Sequence, residues 1–442
     1  MKDNRIEFPK RIDGSEKPAT VRERWPWVES QVWTDRMLTA LESGVRGGKW
    51  YCLMDKVLSP ANLQASFAKV AKNDGAPGVD HVSVKDYAKR HDANMERLHR
   101  QLSDGTYHPR AIRRKMIPKP GSREMRPLGI PTVRDRIVQG ALKHVLEPIF
   151  EKDFADQSYG FRPRRGCHDA LARVDELLNA GNIWVVDADL KRYFDTVPHD
   201  ALMDLVREKV TDRSVLGLIE MFLKQDILSE LGHWSPEEGT PQGGVISPLL
   251  ANLYLNPLDH RMAERGIEMV RYADDFVVLC RSEAEARQAL EDIRVWTAQA
   301  GLTLHPEKTR IVDASQHGGF DFLGYHFERG KRWPSKKSER CLRDKIRPHT
   351  KRCNGRSLEC IVKTLNPILR GWFNYYRYSY GSFQNQDSWV RMRLRSILRK
   401  RIKLKGRGRG KDHQRWPNAF FAGYGLFSLT EAHRLVRQSA ER

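Results

Sequence analysis

The sequence predicts an α/β or α+β body followed by a strongly basic, folded C-terminal module. Between residues 60 and 310, short apolar runs suited to buried strands alternate with stretches of helical periodicity. The charge is lopsided. Residues 331–442 hold 29 of the 77 Lys and Arg but 7 of the 56 Asp and Glu, a net +22, while residues 1–330 sit at −1. The basic segment also contains LNPILRGWFNYYRYS and WPNAFFAGYGLFSL, core-forming aromatic runs that a disordered tail lacks. A folded module that binds a polyanion fits both facts.

Composition narrows the class further. A chain of 442 residues is long enough for two or three domains with real cores. No stretch of about 18 uninterrupted apolar residues occurs, so no membrane span is expected. The first twenty residues, MKDNRIEFPKRIDGSEKPAT, are polar and mixed in charge, unlike a secretory signal. The six cysteines are scattered with no C-x2-C pair, which argues against a zinc site and for reduced, cytosolic thiols.

The elements follow in order. Residues 1–60 are rich in Trp and show no clear role. NLQASFAKVAKNDGAPGVD (62–80) reads as a short helix closed by a Gly/Pro turn. IRRKMIPKPGSREMRPLGIP (112–131) reads as extended strands around a turn. RIVQGALKHVLEPIFE (136–151) is a periodic helix, and GNIWVVDADLKRYFD (181–195) opens on an apolar run suited to a buried strand. PHDALMDLVREKV (198–210) spaces Leu202, Leu205 and Val206 as a helix does. SEAEARQALEDIRVWTAQAG (282–301) begins with a capping-box pattern, Ser282 to Glu285, and ends at Gly301. No internal repeat is present, and GRGRGK (406–411) is the one low-complexity patch.

Two adjacent acids, Asp274 and Asp275, stand between apolar runs in RYADDFVVLC (271–280). Clustered carboxylates are costly unless something positive lies between them. Asp187 and Asp189 stand at the end of another apolar strand. If Asp189 ends one strand and the Asp274–Asp275 pair tips a neighbouring hairpin, three acids converge. A few oxygen ligands suit Mg²⁺, and a two-metal site would neutralise them while activating an attacking oxygen and stabilising a leaving pyrophosphate. Taken singly, each stretch also fits ordinary turn acids.

Taken together, the stretches resemble the reverse transcriptases encoded by bacterial group II introns, which also act as RNA maturases. RYADD is similar to that family's metal-binding hairpin, and DLKRYFD (189–195) to the motif carrying its first acid, which selects Asp189 over Asp187. TPQGGVISPLLANLYL (240–255), RPLGIPTVRDRIVQGAL (126–142), SYGFRPRRGCHDAL (158–171), GLTLHPEKTRI (301–311) and FDFLGYHF (320–327) resemble further fingers and palm motifs. NDGAPGVD (73–80) resembles the N-terminal extension block, and LNPILRGWFNYYRYS (365–379) the maturase or thumb motif. The resemblance runs in order over about residues 60–430.

The resemblance implies an α+β right-hand polymerase: an N-terminal extension (1–60), fingers and palm (61–330) and an α-helical basic thumb or maturase domain (331–442). It implies RNA-templated DNA synthesis with two Mg²⁺ ions held by Asp189 and Asp274, with Asp275 bound more loosely or shaping the field. Phe194 falls where the family places a bulky ring under the nucleotide sugar, Gln242 and Gly243 in its nucleotide-approaching turn, and Lys119 and Arg126 where fingers residues clamp the triphosphate. Lys308 is expected at primer or nucleotide. Arg370, Arg399, Lys400, Arg401, Lys403 and Lys405 are expected to meet RNA phosphates. Implied partners are group II intron RNA, an RNA template with a DNA primer, dNTPs and a DNA target, in a bacterial cytoplasm. The family's C-terminal endonuclease, with paired Cys and His, has no counterpart before Arg442, so priming by other strands is expected. Two other readings stay open: a host-adapted relative making cDNA in defence or repair, and a non-catalytic splicing factor.

Overall fold

The computed structural model describes residues 20–118, 124–229, 232–408 and 410–440. It is α+β, as the alternation of patterns predicts. The described chain forms two compact units, residues 20–118 with 124–313, and residues 314–408 with 410–440.

The first unit is built around the helix Val133–Glu151. It is buried on nearly every side, its polar residues Asp135, Gln139 and His144 included, so its neighbours cover it all round. Thr132 caps it, its hydroxyl accepting from the Asp135 amide at 3.2 Å. The helix Pro60–Asn73 packs against it where Gly140 leaves room: a Cβ there would lie 2.2 Å from the Ser66 hydroxyl. The described part of the N-terminal region belongs to this core. Trp33 is fully buried, and its indole donates to the His144 carbonyl at 2.9 Å.

Two sheets complete the unit. Its strands are β1 (Ile112–Pro118), β2 (Met125–Ile130), β3 (Trp184–Asp189), β4 (Ile227–Ser229), β5 (Gly232–Trp234), β6 (Glu268–Tyr272), β7 (Asp275–Cys280) and β8 (Arg310–Asp313). One sheet runs β2-β1-β4-β5 and the other β6-β7-β3-β8. In the second, β7 is buried from Phe276 to Cys280, because the helices Cys167–Asn179 and Glu283–Gln299 both pack on it. Ser282 caps the latter helix, but Glu285 turns its carboxylate to the Arg281 amide rather than back to the cap residue.

The second unit holds a three-stranded antiparallel sheet, β9 (Phe320–Phe322), β10 (Tyr325–Glu328) and β11 (Lys331–Pro334), and the helices Lys336–Ile346, Leu358–Tyr376, Gln384–Arg401 and Leu429–Ala440. Strands β9 and β10 thus stand on the C-terminal side of the division, although the sequence reading groups them with the palm. Phe320, Phe322, Tyr325 and Phe327 form its centre. Trp372 lies 4.6 Å from the Tyr376 ring and 5.5 Å from Phe383, so it packs the core. Asp387 accepts from the Leu429 and Thr430 amides at 3.0 and 3.1 Å, capping the last helix. The low-complexity patch is fitted to its neighbours: the Gly408 amide donates to Ser396 at 3.0 Å, and a Cβ there would come within 2.4 Å of Arg395. Among the described residues, no helix is long and apolar enough to cross a membrane.

Candidate active site and nucleic-acid interface

Strand alternation and register decide where the acids fall. Asp189 is the last residue of β3, opposite Asp275 on β7, and Asp275 is opposite Tyr272 on β6. Only Ala273 and Asp274 remain to close the hairpin, and Ala273 takes the left-handed conformation at φ 60°. Asp189, Asp274 and Asp275 therefore share one end of the sheet. Burial pushes the Asp274 carboxyl up, the Asp189 charge adds to it, and Arg271 and Arg126 oppose it.

The Lys308 ammonium binds Asp189 directly. Its loop is held there by the His305 amide, which donates to the Asp189 carbonyl at 2.7 Å. Asp187, two residues back on the same face, pairs with Arg310 at 3.2 Å. Among the described residues, no three His, Cys, Asp or Glu side chains already converge as a metal cage. The donor set nevertheless fits a hard divalent cation: carboxylate oxygens alone, with Asp274 already disfavoured in its charged form, by burial first and by the Asp189 charge as well.

Arg271, which the sequence reading gave no task, supports the hairpin. It is fully buried. Its guanidinium makes a two-pronged pair with Asp259 (Nε–Oδ1 2.7 Å), donates to Asn252 at 3.0 Å and donates to the Ala273 carbonyl at 2.9 Å. Asn252 donates in turn to the Gly160 carbonyl at 2.7 Å. Gly160 must be glycine, since a Cβ would lie 2.3 Å from the Ala273 amide. Asn252 and Asp259 stand about two turns apart on one face of the helix Ser247–Glu264, the spacing that could have revealed them.

Between the β2-β1-β4-β5 sheet and the segment that follows Asp189 lies a cleft of about 370 Å³. Phe194, half-buried, and Gln242 line it. Gln242 reaches Asp195 at 3.4 Å. Its carbonyl accepts from the Gly129 amide at 2.6 Å, and a Cβ on Gly243, whose φ is +114°, would stand 2.1 Å from the Gly129 carbonyl. Arg126 is exposed on β2 and faces away from this cleft, on the side of β2 opposite Pro127. Lys119 lies outside the described residues.

The expected RNA contacts divide. Lys400, Lys403 and Lys405 are exposed. Arg399 is tied inward, pairing with Asp412 at 2.8 Å, and Arg401 donates to the Arg356 carbonyl. Arg370 is exposed with its guanidinium 5.5 Å from the Phe427 ring centre.

Comparison with known proteins places two families along the chain. Residues 117–327 match the family described as reverse transcriptase (RNA-dependent DNA polymerase), and residues 339–416 match the group II intron, maturase-specific domain. Protein YkfC of Escherichia coli is 35% identical over 298 residues, 59% of this chain and 77% of YkfC. The group II intron-encoded protein LtrA of Lactococcus lactis subsp. cremoris is 43% identical over 205 residues, 46% of this chain and 34% of LtrA. The mitochondrial nuclear intron maturase 1 of Arabidopsis thaliana is 27% identical over 249 residues, 44% of this chain and 34% of its own. The matched stretch thus spans about a third of two of these relatives. The chain belongs to the group II intron reverse transcriptase/maturase family, and it carries that family's RNA-dependent DNA polymerase domain.

Proposed function

We propose that the chain extends a primer on an RNA template, and that its basic C-terminal module binds group II intron RNA and aids its splicing fold. In this reading residues 61–330 act as fingers and palm and residues 331–442 as thumb and maturase domain. The observation that carries the polymerase part is the register of Asp189 with Asp275, which gathers three carboxylates at one sheet end.

Asp189 and Asp274 would hold divalent cations, with Mg²⁺ the fitting choice, and Asp275 would shape the local field. Metal bound there supplies activation of the primer 3′-OH and neutralisation of the departing pyrophosphate. Lys308, which pairs with Asp189, would have to give up that pair for Asp189 to hold a cation. Arg126, on the side of β2 away from the Phe194–Gln242 cleft but with its charge felt at Asp274, would meet the triphosphate from the carboxylate side. Phe194 presents bulk where a ribose 2′-OH would clash, favouring dNTPs. Gln242 and Gly243 bring backbone close to the nucleotide. The exposed lysines of the C-terminal module contact phosphates of structured RNA, which is recognised by shape.

The test is primer extension on an oligonucleotide-primed RNA template with Mg²⁺ and dNTPs. Asp274→Asn should abolish extension and spare RNA binding. Retention of more than about a tenth of the wild-type rate, less than one 1.36 kcal/mol step of barrier, would overturn the assignment.

A further inference from the structure

The register of the β2-β1-β4-β5 sheet sorts its side chains onto two faces. Ile112 pairs with Ile227, Ile227 with Trp234, Arg114 with Gly129 and Met116 with Pro127. Partners share a face, and alternate residues of one strand share it too. Ile112, Arg114, Pro127, Gly129, Ile227 and Trp234 therefore form one surface, and all six line the cleft that Phe194 and Gln242 close from the other side.

That face is open and apolar where a monomer would ordinarily be covered. Trp234 is 37% exposed, and Met116 and Met125 on the same face are 47% and 48% exposed. The Arg114 guanidinium stands 5.0 Å from the Trp234 ring centre. Of the three consecutive cations of β1, Arg114 stands on this face and Arg113 and Lys115 on the other. A flat aromatic backed by a cation is the surface that single-stranded nucleic acid uses for stacking. The opposite wall carries the carboxylates of Asp195 and Glu238. Those acids repel phosphate, so a base enters the cleft while its backbone stays outside, nearer Arg114.

We propose that Trp234, held by Arg114, is the stacking platform for an unpaired template base ahead of the primer terminus. The occupant's identity rests on the polymerase reading, because the cleft shares Phe194 and Gln242 with the proposed nucleotide site. Positioning the template base before it pairs is the consequence. Base stacking of this kind tolerates any sequence, as a copying enzyme requires.

The experiment measures binding, without dNTPs, of primer–template duplexes that are either blunt or carry a 5′ template extension. Fluorescence anisotropy gives the gain in affinity from the extension. Trp234→Ala should remove about tenfold of that gain and leave blunt-duplex affinity unchanged, while Trp234→Phe should keep most of it. An abasic nucleotide scanned along the extension should weaken wild-type binding at one position, and that loss should vanish in Trp234→Ala. The abasic scan in the wild-type protein also decides the matter if Trp234→Ala fails to fold. No position-dependent loss, or an equal loss on blunt and extended duplexes, overturns the platform. Extension assays stand apart: a wild-type protein that shows the abasic effect but never extends primers overturns the polymerase reading alone.

Discussion

The two units handle buried arginine differently. In the first, Arg162 meets Glu151 at 2.8 Å and Arg271 meets Asp259, both in closed, buried pairs. In the second, Arg395 is buried but donates to the Trp416 carbonyl at 2.9 Å and the Asn418 side chain at 2.9 Å, over the Phe421 ring. Arg393 likewise uses the Thr350 carbonyl at 2.8 Å. Residues 1–330 have one more acid than bases, whereas residues 331–442 have 7 acids for 29 bases. Where carboxylates are scarce, neutral oxygens satisfy the guanidinium's hydrogen bonds without cancelling its charge. The first arrangement makes struts. The second keeps the module rigid and still positive.

The sharpest way to break this contrast is Arg271→Leu. Stranding Asp259 in the interior should cost about 3–5 kcal/mol of unfolding free energy in urea. Pairing it with Asp259→Leu should restore most of that stability. A single variant that loses less than about 1 kcal/mol would mean that Arg271 is no strut.

Next, the charge of the C-terminal unit should reside in its exposed lysines. Lys400, Lys403 and Lys405 changed together to Ala should weaken RNA binding more than tenfold at low salt, and flatten the slope of log affinity against log salt by about two units. Single-turnover extension at saturating primer–template should change much less. An unaltered slope would reduce these residues to a solvated face; lost extension with intact binding would make them part of primer positioning.

Phe194→Ala tests the first unit's apolar floor. The ratio of rNTP to dNTP incorporation efficiency should rise by about tenfold, one 1.36 kcal/mol step. An unchanged ratio would make Phe194 a packing residue only.

The last comparison concerns a histidine. Burial, with Lys69 and Lys143 nearby, lowers His144 to about 3. Its Nε2 accepts from Lys69 at 2.8 Å and its Nδ1 donates to Asn62 at 2.8 Å, so the folded ring stays neutral. The unfolded ring takes up a proton below its ordinary value of 6.5. Stability therefore falls as pH drops from that value toward 3, by up to about 1.4 kcal/mol per pH unit for one proton. His144→Gln should remove that contribution to the slope between pH 6 and 4, read by urea unfolding. A slope unchanged by the substitution would place the proton uptake elsewhere.

Much of the site was legible because its signals are local. Asp189, Asp274 and Asp275 sit in short strings whose chemistry and order the family shares, and the flanking apolar runs show that strands end there. The strut was hidden because Arg271 meets Asn252 and Asp259 only once a helix is laid across the hairpin. Trp234 was hidden for another reason: β4 and β5 are three residues each, too short for a period, and β4 joins β1 through a parallel, nonlocal pairing. Arg399 read as free charge because its partner, Asp412, lies beyond the helix end. Composition gave the sign of that surface, but which cations turn outward depended on tertiary packing.

The contact between Gly129 and the Gln242–Gly243 turn has a mechanical consequence. With no side chain between them and a 2.6 Å hydrogen bond joining them, strand and loop are riveted backbone to backbone. Arg126 is three residues along the same strand. A push on either end is then felt at the other, as along one stiff lever. Any motion of the Gln242 loop therefore carries Gly129 with it, and a hinge placed between them would first have to break this contact.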